Sequence, residues 1–240
     1  MSQSTLKGVG LLAQYQDLMT SSTGNGGMQL GAKATTGDGR EFRFVLAGGT
    51  TLVPGKLQQT SAEVTGWETL AVAAAAVGAT TVVTTSTVTV TANELAGGYL
   101  VVAVTPGQGY TYRIAGNTAA TAAVTTITLD DPIQVALTTS STVSVVLNPF
   151  NGVILNPTTA TGAIAGVAVF PIVNAQYGWI QTKGPVGVLA GGTIVVGEQV
   201  GASTVTAGAI EATTGVVADV GVAIQGIVSG DYGPVNLSIS

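Results

Sequence analysis

From Phe42 onward, hydrophobic and polar positions alternate in short runs broken by glycine, proline and asparagine. This is the pattern of half-buried strands joined by tight turns. Arg40–Leu46 reads as a strand that stops at Gly48-Gly49, and Pro54-Gly55 marks the next turn. Val82–Thr91 alternates valine and threonine in its second half. Tyr99–Val104, Pro106-Gly107-Gln108-Gly109 and Tyr110–Ile114 read as strand, turn and strand, and Ile133–Leu137 with Thr142–Leu147 reads as a second hairpin. Leu70–Val77 fits a short Ala-rich helix or a buried strand, because periodicity does not separate the two. The expectation is an all-β protein of short antiparallel strands, forming one or two small β-barrels or sandwiches behind an N-terminal arm.

That arm, residues 1–39, differs from the rest of the chain. Val9, Leu12, Tyr15 and Met19 recur near helical spacing, and a glycine-rich tether succeeds them at 24–31. Asn148-Pro149 and Asn156-Pro157 then punctuate the chain, which suggests a β-domain over 40–157 and a small barrel over 158–240. The last part holds a repeat. Gly166–Ile180 aligns without gaps on Gly221–Val235, with seven of fifteen positions identical. Each copy reads as a strand, a polar turn and a Tyr-Gly that opens a second strand, so Tyr177 and Tyr232 should occupy equivalent places in one barrel.

Composition narrows the chemistry. The chain has 240 residues with no histidine and no cysteine. Disulfides are therefore impossible, and the His- and Cys-based catalytic and metal sites have no residues to build them. Charged residues are 8% of the chain, against about 25% in an ordinary soluble domain. The net charge is −5, and no lysine or arginine cluster exists to neutralise a run of phosphates, so no nucleic-acid partner is expected. Apolar stretches such as Gly162–Val173 are too short for a spanning helix, and Met1–Leu6 lacks the features of a signal peptide. No membrane partner is expected either.

Individual motifs carry no catalysis. Gly49–Lys56 resembles a phosphate-binding loop only superficially, since Thr50 replaces the first glycine and Leu57 the magnesium-binding hydroxyl. Asp130 and Asp131 are neighbours on a strand and point to opposite faces, which prevents joint acid–base work. Asn236-Leu237-Ser238 matches a glycosylation acceptor that has no export signal before it. The pairs Tyr110/Tyr112 and Tyr177/Trp179 alternate as sugar-stacking platforms do, but a chain with 12 aromatic residues needs them to fill its core. No catalytic residue, cofactor or metal ligand is expected, and the chain is read as not an enzyme.

Several strings occur in a telling order: Gly97-Gly98-Tyr99-Leu100, Gly109–Ile114, Leu129–Ile133, Asn148–Val153 and Ala175–Gln181. Together they resemble a group of virion structural proteins of tailed phages, common in aquatic phage genomes. The C-terminal Gly-Val-Ala strands are also similar to small β-barrel capsid decoration proteins. The resemblance covers about residues 40–240. It implies a capsid cement or decoration protein, homotrimeric and partnered by the major capsid protein. Such a protein is made in the host cytoplasm and ends on the capsid outer surface. The alternative is another virion part, such as a head fibre, a tail protein or a host-glycan-binding adhesin. Lys7, Val9, Leu12, Tyr15, Met19 and Lys33 in the arm are the expected partner contacts, joining an apolar helical face to two of the chain's seven basic residues.

Overall fold

The computed structural model describes residues 11–213 and 219–239. It is almost entirely β, as the alternation predicts. In chain order, the first strands are β1 (Leu11–Leu12), β2 (Ser21–Ser22), β3 (Lys33–Thr35), β4 (Glu41–Leu46) and β5 (Leu57–Gln59). Then come β6 (Leu70–Val72), β7 (Thr81–Thr85), β8 (Tyr99–Val104), β9 (Thr111–Asn117), β10 (Val124–Leu129) and β11 (Thr142–Val146). The chain finishes with β12 (Ile154–Leu155), β13 (Ile164–Ala168), β14 (Tyr177–Leu189), β15 (Gln199–Ala202), β16 (Ile210–Ala212), β17 (Asp219–Ala223) and β18 (Tyr232–Ser238). One short α-helix, α1 (Tyr15–Leu18), and one 3-10 turn at Thr65–Trp67 are the helical elements among the described residues.

Two compact units result. One is Glu63–Asn148, and the other joins the chain up to Ala62 with the chain from Pro149. The boundaries thus differ from those expected at 39 and 157. One domain is inserted within another, so a body that is contiguous in space is split in sequence. Asn148-Pro149 does mark a junction, whereas Asn156-Pro157 lies inside a unit.

The inserted unit is a closed antiparallel barrel in the order β10-β7-β6-β11-β8-β9. Closure removes every sheet edge, which short Thr/Val strands would otherwise expose. Its interior takes every second residue: Leu100 and Val102 from β8, Tyr112 and Ile114 from β9, Val143 and Val145 from β11. Ile133–Leu137 forms no ladder strand. Leu137 makes a single bridge to Ala75, and β11 pairs with β6 and β8 instead.

The discontinuous unit is built from two copies of one arrangement, and the repeat is longer than Gly166–Ile180 alone suggests. The string Val45-Leu46-Ala47-Gly48-Gly49-Thr50 recurs letter for letter at Val188–Thr193. In the first copy, β4 pairs with the N-terminal half of β14, Leu46 facing Tyr177 and Val45 facing Gly178. In the second, the C-terminal half of β14 pairs with β18, Leu189 facing Tyr232 and Val188 facing Gly233. Val167 and Ala168 face Gln181 and Ile180, as Val222 and Ala223 face Asn236 and Val235. Isolated bridges match too: Leu52 to Ile172 and Ile194 to Ile227, Ala47 to Val153 and Ala190 to Ile210. Tyr177 and Tyr232 therefore open equivalent strands in identical register.

The cores repeat with the hydrogen bonds. The first is Val45, Ala47, Leu52, Val153, Ala165, Ala168, Ile172 and Ile180. Each has its counterpart in the second: Val188, Ala190, Ile194, Ile210, Val220, Ala223, Ile227 and Val235. The glycine after each tyrosine is a consequence of this packing. A Cβ on Gly178 would stand 2.7 Å from Ile172, and one on Gly233 would stand 2.4 Å from Ile227. The copies differ most plainly in the connection after β5 and β15. Residues 203–209 join β15 to β16, whereas between β5 and β12 the chain leaves to build the inserted barrel.

The packing and the insertion can each be tested. Gly178→Ala and Gly233→Ala should each lower stability by about 1–3 kcal/mol through overpacking, while Gly187→Ala, whose Cβ would meet open space, should change it little. Chemical denaturation of the three variants checks this, and equal effects at all three would contradict it. Joining Ala62 to Pro149 through two glycines should leave a chain that unfolds cooperatively with a strand-type circular dichroism spectrum. A molten or unfolded product would show that the duplicated body needs its insert.

Candidate interaction surface

The outer face of the first repeat is covered by the N-terminal segment. Phe42 and Phe44 on β4 and Trp179 on β14 point away from the repeat's own core and pack with Ala13, Leu18 and Ala34. Phe44 lies between two aromatic rings, stacked on Tyr177 at 5.7 Å and tilted against Trp179 at 5.1 Å. Tyr15 packs on Phe42 at 6.1 Å, and the Arg40 guanidinium sits 4.2 Å over the Tyr15 ring, a cation–π contact that closes this edge.

A second element ties the segment down. β2 adds antiparallel to the start of β14, Ser22 facing Tyr177 and Ser21 facing Gly178. The Ser21 hydroxyl donates to Gln176 Oε1 at 2.6 Å and accepts from the Val173 N–H at 2.9 Å. The Thr20 carbonyl approaches to 2.8 Å of where a Gly178 Cβ would be, so glycine here makes room for both Ile172 and the strap.

The six residues singled out from the sequence are placed unevenly. Lys7 and Val9 lie outside the described residues. Leu12 is not helical; it belongs to β1, which runs parallel to β3, and is 77% exposed. The helix spans only Tyr15–Leu18, so no long apolar helical face forms over 9–19. Tyr15 is half-buried on the chain's own sheet and Met19 is exposed, while Leu18, not singled out, is the buried anchor. Lys33 is an ion-pair partner: its Nζ is 2.8 Å from Glu41, which Lys183 approaches to 3.7 Å. The Lys33 hydrogen bond holds the Glu41 carboxyl below its ordinary range.

Among the described residues, nothing covers the same outer face in the second repeat as the N-terminal segment covers the first. Phe42, Phe44 and Trp179 are replaced at matching positions by Pro185, Gly187 and Pro234. Val169 corresponds to Ile224, Val173 to Val228 and Tyr177 to Tyr232, and the second-repeat residues of these pairs are 48%, 65% and 54% exposed. No described segment pairs with the free edge of Tyr232-Gly233 as β2 pairs with Tyr177-Gly178. The signal for this difference lies in the sequence once the copies are aligned, as aromatic positions turned to glycine and proline.

The other candidate groups belong to the inserted unit. Asp130 pairs with Arg113 at 2.9 Å. Glu68 is raised by a hydrogen bond shared with Glu63, both at the surface. Tyr110 stacks on Tyr112 at 6.2 Å, and the buried Tyr112 hydroxyl accepts from the Gln134 N–H. Among the described residues no three acidic side chains gather as a metal site would require, and no helix is long and apolar enough to cross a membrane. Compared with protein-family models, with curated proteins and with solved structures, the chain shows no significant match.

Proposed function

We propose that this chain is a structural protein of a tailed-phage virion, a cement or decoration protein that binds across major capsid subunits as a homotrimer. Two things support the reading: the strings that resemble virion proteins, and the uncovered face of the second repeat. The second favours a part that docks on another protein. A duplicated scaffold that fills one docking position from its own chain and leaves the matching one open is organised to be joined to something. Its 34 glycines and sparse charge suit strands packed tightly against neighbours, where burial contributes about 25 cal/mol per Å² of apolar area. The function of such a part is mechanical, and no enzymatic step is assigned to it.

A second reading, a host-glycan-binding adhesin, is favoured by one observation. Tyr110 remains 43% exposed while its ring rests on Tyr112, so the inserted barrel carries an aromatic surface of the kind sugars stack on.

Quantitative proteomics and electron cryo-microscopy of virions from the encoding phage separate the two. The cement reading expects the protein on the head exterior, in copy number comparable with the major capsid protein. Its absence from virions would overturn both readings. Confinement to the tail tip, with saturable glycan binding lost in Tyr110→Ala, would replace the first by the second.

A further inference from the structure

We propose that the second repeat binds an extended segment of a partner protein, which adds as a short antiparallel strand along Tyr232-Gly233. The first repeat supplies the template. There, Ser21-Ser22 pairs with Tyr177-Gly178, and one hydroxyl bridges the Val173 N–H and the Gln176 side chain. The second repeat keeps the tyrosine, the glycine and the Val228 N–H of the receiving edge, but Pro234 stands where Trp179 stood and offers no N–H. Tyr232-Gly233 has the register of Tyr177-Gly178, and Gly233, like Gly178, carries no side chain toward the incoming strand, its Cβ position being taken by Ile227 as that of Gly178 is by Ile172. Val228 presents the N–H that corresponds to Val173, and among the described residues no backbone acceptor reaches it.

The differences between the copies describe the occupant. Asp231 stands where Gln176 accepts the Ser21 hydroxyl. A carboxylate makes a stronger, charge-assisted bond with a hydroxyl donor than a neutral amide does. Ile224 and Tyr232 are exposed where the first repeat has the half-buried Val169 and Tyr177, and Val228 is 65% exposed against 46% for Val173. The aromatic platform that anchors Leu18 is absent, so the covering segment need not carry a large apolar anchor of that kind. The partner segment is therefore extended, with a serine or threonine opposite Gly233 and small apolar residues beside it. Backbone hydrogen bonds supply affinity and the hydroxyl supplies register, the mode of β-strand addition.

A second copy of this chain is a poorer occupant. Its own Ser21-Ser22 is engaged, and withdrawing that strap would uncover Phe44 and Trp179. The site rests on the internal repeat and not on the virion reading, so it stands or falls separately.

The probe is a capped synthetic heptapeptide with the strap's own sequence, Leu18–Gly24, titrated into the isotope-labelled full chain and followed by amide NMR. The expected result is saturable shifts confined to the amides of residues 224–233, with a Kd on the order of 1 mM. A peptide with alanine at the Ser21 position should bind about tenfold more weakly, as should the Ile224→Lys protein, a difference of about 1.4 kcal/mol. Shifts away from the site that match those of the parent chain show that the variant is folded. Absence of local shifts at millimolar peptide would overturn the proposal, as would equal binding of the alanine peptide. Shifts of the same amides on concentrating the protein alone would also overturn it, assigning the face to a second copy.

Discussion

One strand holds the duplicated body together. β14 runs thirteen residues without interruption and belongs to both repeats, pairing with β4 and β13 in its first half and with β18 in its second. Where it passes from one repeat to the other it carries Gly184, whose φ of 88° is costly for any residue with a side chain. The ladder shifts register between Gln181 and Lys183. Gln181 sits at this shift. Its fully buried amide nitrogen lies 3.0–3.1 Å from the carbonyl oxygens of Lys183, Gly184 and Pro185. Buried backbone groups must be paired somewhere, and here the two N–H groups of one side chain are shared among three carbonyls at the point where the two repeats meet.

Strand content was legible because it depends on neighbours in sequence. Tyr99–Val104 and its partner strand sit on either side of the Pro106–Gly109 turn as their alternation requires, and β4 ends before Gly48-Gly49. Local pattern misled where tertiary pairing decides. Thr81–Thr85 stops early because Ser86 turns the chain, its hydroxyl bonding to both the N–H and the carbonyl of Val88. The helical spacing of Leu12, Tyr15 and Met19 yields a single turn, because Leu11-Leu12 finds a strand partner in Ala34-Thr35.

The organisation into repeats was half legible. The Gly166/Gly221 alignment has the right register, since Gly166 and Gly221 both lie against a neighbouring backbone carbonyl where a Cβ would not fit. Its other half was obscured by distance: the inserted barrel separates β5 from β12, and the VLAGGT strings at 45 and 188 must be matched across it. The open face was not legible at all without that match. Exposed Ile224, Val228 and Tyr232 mean little singly. They acquire meaning only beside Val169, Val173 and Tyr177 at the equivalent places, of which Val169 and Tyr177 are half-buried and Val173 is 46% exposed against 65% for Val228.

Two copies of one arrangement, of which only the first is covered among the described residues, organise this unit, and site-resolved amide hydrogen exchange tests that most directly. Paired positions such as Leu52 and Ile194, or Gly55 and Gly197, donate to equivalent carbonyls and should show comparable protection. Val173, bonded to Ser21, should be protected while Val228 exchanges freely. Equal protection of Val173 and Val228 in the isolated chain would contradict the account, because it would mean that the second strap position is already filled.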